Sequence, residues 1–436
     1  MTASSAHAPT TDTGDPRPPE RTRHAIRGGI MGNFVDQFDI FLPVMALGPA
    51  AAQLFGEQDA VFRASLIFVA TLIGRPLGSL VFGPIADRVG RTVVTQIALA
   101  GISLTTLLIA LVPGHHVLGA ATFWAVLILR FLGGVFLGGE YTSAVPLAME
   151  WARPGSRGRV SGFIMAMSPC ANATIAALTF ALIQGLGPED YAAWGWRIPF
   201  LIGAAMAAGM LAYYRLRIAD APGRQPAASA ARPVAELASS GRRLWQVFVL
   251  MSGLWLFTYM AVTTFTAELG ASGQIDAAHV SLVMMCATAV SAVAMAAAGH
   301  LSTFTGRRRF FVAFGLAAAV VSPLIFLAVF AVQGTGPVLM LAAALQVATV
   351  TCYGPVGAYL TERFADGVRS TGYGAAYSLS IVLPALYPYY LPPLQEALGR
   401  HGAVAALLVL SGLLVAIGGL LGPDTDRFGP LPRRAG

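Results

Sequence analysis

Apolar stretches of roughly twenty residues recur along almost the whole chain, from about residue 26 to residue 422, and this feature limits the fold more than any other. A stretch that long, nearly free of charge, suits a helix across a bilayer, because hydrocarbon leaves no partner for an open backbone. The excess is general: 56% of residues are hydrophobic and 11% charged, where soluble domains are about half apolar and about a quarter charged. Twelve segments read as helices, at about 26–50, 62–86, 92–112, 118–149, 160–185, 196–218, 243–267, 278–300, 309–331, 337–362, 370–393 and 400–422. The expected class is an all-α membrane protein.

The net charge is +7, and no lysine occurs. With the N-terminus inside, twenty-three of the 28 basic residues fall in segments on one side, and only Arg63, Arg197 and Arg400 on the other. That asymmetry predicts an inner-membrane protein with both termini cytoplasmic. It also makes the charge a topology signal instead of a nucleic-acid footprint. Residues 1–25 are expected to be a disordered tail, not a signal peptide, since the first apolar segment is long and carries Asp36 and Asp39. Cys170, Cys286 and Cys352 stand singly within apolar stretches, so neither a disulfide framework nor a metal site is expected.

The chain divides into two similar parts. Residues 26–218 and 243–422 each hold six segments, separated by an Ala-, Pro-, Ser- and Arg-rich linker at 219–242 and followed by a tail at 423–436. Gly83, Gly90 and Arg91 recur as Gly299, Gly306 and Arg307, an offset of 216 residues; Glu150, Arg157 and Gly162 recur as Glu362, Arg369 and Gly374, an offset of 212. A duplicated six-helix unit gives such a pattern, and two pseudo-symmetric bundles are expected.

These residues carry a resemblance. Gly83-Pro-Ile-Ala-Asp87-Arg88-Val-Gly90-Arg91 resembles the loop pattern of the major facilitator superfamily. Gly32-Asn33-Phe-Val-Asp36-Gln-Phe-Asp39, Arg75-Pro76-Leu-Gly78, Arg130-Phe-Leu-Gly-Gly134 and Gly138-Gly139-Glu140 are similar to the metabolite:proton symporters within it, as are Glu150 to Ser161 and Trp194-Gly-Trp196-Arg197-Ile-Pro199. The chain departs from that pattern at Gly133, where the family has glutamine, at Asp36-Gln37-Phe38-Asp39, and at Thr303, which stands opposite Asp87 in the second copy. The resemblance implies two six-helix bundles around a central cavity, working by alternating access.

Ionisable side chains inside spanning helices are costly and usually face an aqueous pathway. Asp36 and Asp39, three residues apart, share a helix face with Asn33. One of them is expected to couple protons, unless both are structural acids paired with a buried arginine. Arg75 and Arg130 offer the planar fork that suits a carboxylate, or pair with Asp36, Asp39 or Glu140. The resemblance associates Arg130 with proton coupling. Glu140 follows a glycine face that admits a neighbouring helix; it is read either as a packing residue or as a further proton-coupling acid. Asn33, Gln37, Arg75, Arg130, Tyr259 and Tyr377 are the expected substrate contacts, the tyrosines belonging to a set with Trp255, Thr263, Tyr353, Tyr359 and Tyr373. Tyr387, Tyr389 and Tyr390 read as interfacial aromatics. Gly83, Asp87, Arg88, Gly90, Arg91, Glu150 and Arg157 form an expected gate, with Asp87 at a helix N-terminus of the other half.

The function these features predict is proton-coupled symport of a small polar metabolite, an organic acid such as a di- or tricarboxylate. The alternative is a proton-antiport exporter. The chain is expected to act as a monomer, without cofactor, metal or nucleic acid. It lacks the local motifs of hydrolases and nucleotide enzymes, so it is not read as an enzyme.

Overall fold

A computed structural model describes residues 18–56, 60–221 and 241–423. Among them the chain is helical throughout. We number the principal helices α1 (Pro19–Met45), α2 (Ala60–Val89), α3 (Arg91–Leu111), α4 (Ala121–Trp151), α5 (Arg157–Leu186) and α6 (Arg197–Arg217) in the first half. The second half holds α7 (Gly241–Ser272), α8 (Ala277–Thr305), α9 (Arg307–Val329), α10 (Thr335–Arg363), α11 (Arg369–Leu379, continued by Val382–Ala385 and Tyr387–Leu398) and α12 (Arg400–Leu420).

Among the described residues, eleven helical spans are long and apolar enough to cross a membrane. The segment expected as one helix at 370–393 is the exception. It breaks after Leu379 and again at Leu386, and Pro384 and Pro388 explain why, since each removes the donor that would bond the carbonyl four residues earlier; Pro392 and Pro393 are accommodated within the last piece. The first helix also differs from expectation, beginning at Pro19 inside the segment read as a tail. Pro19 suits a first helical turn, and the polar residues that follow are helical outside the apolar stretch. The remainder of that tail, most of the linker and all but the first residue of the 423–436 tail lie outside the described residues.

The duplication is visible in the backbone. Gly90 ends α2 with φ +135° and Gly306 ends α8 with φ +84°, a region that favours glycine, and each directly precedes the arginine that opens the next helix. Two later helices are irregular near mid-span: α7 contains a π-helical stretch at Tyr259–Thr264, and α10 narrows to a 3₁₀ turn at Val350–Tyr353 before Pro355. Such interruptions free backbone groups and concentrate at functional places.

Within the first half, α2 lies against the glycine face of α4. A Cβ on Gly134 would stand 2.2 Å from the Thr71 carbonyl oxygen, and one on Gly138 would stand 2.3 Å from that of Arg75. Main chain therefore meets main chain, and Arg75 is held at a fixed height beside α4. Between the halves, α5 meets α8 in the same manner: a Cβ on Gly162 would lie 2.6 Å from the Ala296 carbonyl oxygen, and one on Gly299 would lie 2.5 Å from that of Gly158.

Candidate functional site

Two buried ion pairs sit one above the other on α1. The outer pair joins Asp39 to Arg130 of α4. Arg130 Nη1 donates to Asp39 Oδ2 and to the Asp39 carbonyl, both at 2.9 Å, and Nη2 donates to Oδ1 at 3.3 Å. Thr106 of α3 donates its hydroxyl hydrogen to the same carboxylate, and the Phe200 ring lies 5.2 Å from the guanidinium. Bidentate geometry with further hydrogen bonds is what a buried pair needs to offset desolvation.

The inner pair is different. Arg75 of α2 touches Asp36 through one contact, Nη2 to Oδ2 at 3.2 Å. The Gln37 amide also donates to Oδ2, at 2.9 Å, while Ser168 of α5 donates to Gln37 Oε1 at 2.8 Å. Asp36 Oδ1 is buried without a hydrogen-bond partner. Asp36 is fully buried and Arg75 4% exposed, so both are withdrawn from bulk water in this state.

Glu140, one helix turn from the level of Arg75, is 1% exposed and neither carboxyl oxygen has a hydrogen-bond partner. Its Oε1 faces α1 where Gly32 has no side chain; a Cβ there would be 2.7 Å away. The structure therefore does not place Glu140 in an ion pair with either arginine. Asn33 donates to the Ile164 carbonyl at 2.6 Å, which ties α1 to α5, while its Oδ1 is buried without a hydrogen-bond partner.

Aromatic rings from both halves meet beside Arg75. Tyr141 of α4 lies 5.5 Å from the guanidinium, 4.2 Å from the ring of Tyr377 and 5.4 Å from that of Tyr373, both of α11. Trp255 of α7 meets Tyr377 edge-on at 5.1 Å and Tyr353 of α10 at 5.7 Å. Tyr259 packs on Tyr387 at 5.3 Å, which takes Tyr387 out of the interfacial belt, whereas Tyr389 is exposed. Two residues of the tyrosine set go elsewhere: Tyr359 accepts from Gln246 at 2.8 Å near the arginine-rich end, and Thr263 is exposed. Tyr141 was not singled out from the sequence, where it reads as one more apolar residue of α4.

The arginine-rich ends of the halves are tied together. Asp87 at the end of α2 accepts from the backbone N–H groups of Ser370 and Thr371, each at 2.9 Å, and from the Thr371 hydroxyl at 2.8 Å. It thus caps α11, satisfying donors that a helix start leaves unpaired. Arg91 pairs with Glu150 and donates Nε to Ser370 Oγ at 2.9 Å; Arg369 reaches the same Glu150 oxygen at 2.5 Å. Arg157 is buried and Arg88 is exposed. Gly83 lets Thr371 approach, since a Cβ there would lie 2.8 Å from the Thr371 Cα. Higher up, Ser161 of α5 donates to the Gly354 carbonyl and accepts from Ala358 N–H. In the second half Arg307 holds Glu362 in a fork, both contacts 3.3 Å, repeating the Arg91–Glu150 pair. Arg369, Ser370 and Thr371 complete this set of contacts and carry no motif of their own; only the duplication, which pairs Arg369 with Arg157, pointed at one of them.

Comparison with known proteins agrees with this architecture. The profile of the Major Facilitator Superfamily matches residues 29–388. The chain is 29% identical over 413 residues to the inner membrane metabolite transport protein YhjE of Escherichia coli (strain K12), covering 89% of this chain and 91% of that one. It is 27% identical over 380 residues to a citrate-proton symporter of Klebsiella pneumoniae, covering 84% and 83%. Its fold superposes on the proton:xylose symporter XylE with a TM-score of 0.74 at 15% identity, over 92% of this chain and 94% of that one. A duplicated twelve-helix body, buried charges at mid-span and this match together show that the chain belongs to the Major Facilitator Superfamily and is a membrane transporter, not an enzyme.

Proposed function

We propose that the protein is a proton-coupled symporter of a small organic acid, working by alternating access in the inner membrane with both termini cytoplasmic and as a single chain. The observation that carries this reading is the single contact between Asp36 and Arg75. Arg130 gives both Nη groups to Asp39 and leaves only its Nε without a partner. Of the two acids on α1 it is therefore Asp36, held by one arginine contact and with Oδ1 unpartnered, that is freer to change partner, and of the two arginines it is Arg75, bound through one nitrogen, that has more donors to offer.

An incoming carboxylate competes with Asp36 for the Arg75 fork. Displaced from its cation, an ionised Asp36 is expensive in a dry interior, and taking up a proton removes that expense. Substrate and proton therefore enter together. The Asp87 cap and the charges around Glu150 hold the cytoplasmic end shut in this state, and loading at Asp36 and Arg75 shifts the balance towards opening there. The similarity to a citrate-proton symporter supports both the proton and the acid.

Purified protein reconstituted in vesicles tests the reading. Adding a transported organic acid outside is expected to make the external medium more alkaline, and Asp36→Asn is expected to abolish that signal. Retention of proton movement in Asp36→Asn at the wild-type rate overturns the coupling role.

A further inference from the structure

Counting the charges around Arg75 narrows the kind of acid the site accepts; the inference rests on the symport reading above. Among the described residues, Arg75 and Arg130 are the arginines at mid-span, and the charge of Arg130 is already paired by Asp39, which takes both of its Nη groups. Arg75 donates to Asp36 through Nη2 alone, and a guanidinium has five N–H donors. The carboxyl groups of Asp36 and Glu140 both act electrostatically on it. A di- or tricarboxylate bound here brings two or three negative charges to one cation, and the surplus faces two acids. One carboxylate matches: it takes the fork, Asp36 is released, and a new O–H bond forms on the Asp36 carboxylate with a proton from the outer aqueous side. The reverse exchange frees both. One negative and one positive charge then move per cycle.

The walls describe the rest of the molecule. The rings of Tyr141, Tyr373, Tyr377, Trp255 and Tyr353 come from α4, α7, α10 and α11, and Tyr141 meets Tyr377 across the line where the halves part. Tyr141 and Tyr377 touch in this state, their rings 4.2 Å apart; when the halves part, each offers a face on which a flat ring can pack in offset or edge-on contact. An onium group is disfavoured, because the Arg75 guanidinium already lies over Tyr141 and would repel it. We propose that the substrate is a monocarboxylate with a flat, π-bearing body, carried with one proton and without net charge.

Three labelled probes decide the matter in vesicles under an inward proton gradient: 3,4-dihydroxybenzoate, 2-oxoglutarate and glycine betaine. Dihydroxybenzoate is expected to accumulate at least about tenfold faster than the other two, one carboxylate matching one guanidinium. Its rate is expected to stay constant when the membrane potential is clamped at zero or made negative inside with potassium and valinomycin. Tyr377→Leu is expected to raise its half-saturating concentration about tenfold, and Tyr377→Phe to bring it back to within about threefold of wild type, since the ring face is what binds. Proton-coupled uptake of 2-oxoglutarate or glycine betaine at equal or greater rate leaves the symport reading standing and overturns the monocarboxylate assignment. So does a dihydroxybenzoate flux that follows the potential, or a Tyr377→Phe variant as poor as Tyr377→Leu. Absence of proton movement with all three probes overturns both.

Discussion

Thr303 stands in the second half where Asp87 stands in the first, yet only Asp87 caps a helix of the opposite half. The Asp87 carboxylate takes two backbone N–H groups at the start of α11. The Thr303 hydroxyl lies against the start of α5, 2.1 Å from where a Gly158 Cβ would be, and its oxygen is buried without a hydrogen-bond partner. Equivalent backbone positions thus carry unequal strength. The seam between α2 and α11 is charged, and the seam between α8 and α5 depends on close packing.

Removing the strong half of this arrangement is expected to loosen the arginine-rich end, the cytoplasmic one in the proposed orientation. Loss of a helix cap costs about 0.5–2 kcal/mol, enough to shift an inward/outward equilibrium about tenfold. In Asp87→Ala, a cysteine placed at Ser79 should react several times faster with a thiol reagent supplied from the cytoplasmic side, and turnover should fall while the half-saturating concentration changes little.

Strengthening the weak half should do the opposite. Thr303→Asp places a carboxylate at the N-terminus of α5, and anions there are favoured by about 0.3–1 kcal/mol. Labelling at the same reporter cysteine is expected to slow, and transport to slow with it.

The two acids of α1 should separate cleanly when each is neutralised. Asp39→Asn leaves Arg130 without its counter-charge in the interior, and breaking a buried pair costs about 3–5 kcal/mol. It is expected to lower the melting temperature in detergent markedly. Asp36→Asn gives up a single 3.2 Å contact to Arg75 and keeps an amide oxygen that can accept from it, so its melting temperature should fall less than that of Asp39→Asn, while it still binds the acid and loses its response to a pH gradient.

A fourth expectation concerns the height of Arg75. A Cβ on Gly78 would lie 1.9 Å from the Val135 carbonyl oxygen, so Gly78→Ala must push α2 away from α4. Overpacking of this kind costs about 1–3 kcal/mol. Both a lower melting temperature and a raised half-saturating concentration are expected, because Arg75 lies less than one turn along the same helix.

Much of this was legible in the sequence, for physical reasons that also explain what was not. Apolar length locates a spanning helix, and the matched Gly90 and Gly306 located the duplication. Length does not reveal where a helix stops being continuous inside one apolar stretch, so the break of α11 after Leu379 was missed. Nor does it show that a helix continues through polar residues beyond the bilayer, as α1 does from Pro19. Asp36, Asp39, Arg75 and Arg130 stood out as four costly charges. Which acid meets which arginine depends on the rotation of α1 against α2 and α4, and that rotation follows from the glycine contacts of the packed bundle. Asp87 was expected at a helix start of the other half, but Ser370 and Thr371 offer it main-chain groups, which leave no mark in a motif.

The contact of Gly158 and Gly162 with Gly299 has a mechanical consequence. At Gly162 and Gly299 peptide backbone bears directly on peptide backbone, and the nearest long side chain, that of Arg307, stands at the end of the contact beside Gly158. Such a surface lets one half roll over the other with little friction of its own, so the tempo of the cycle is dictated by the charged latches and by what sits on Arg75.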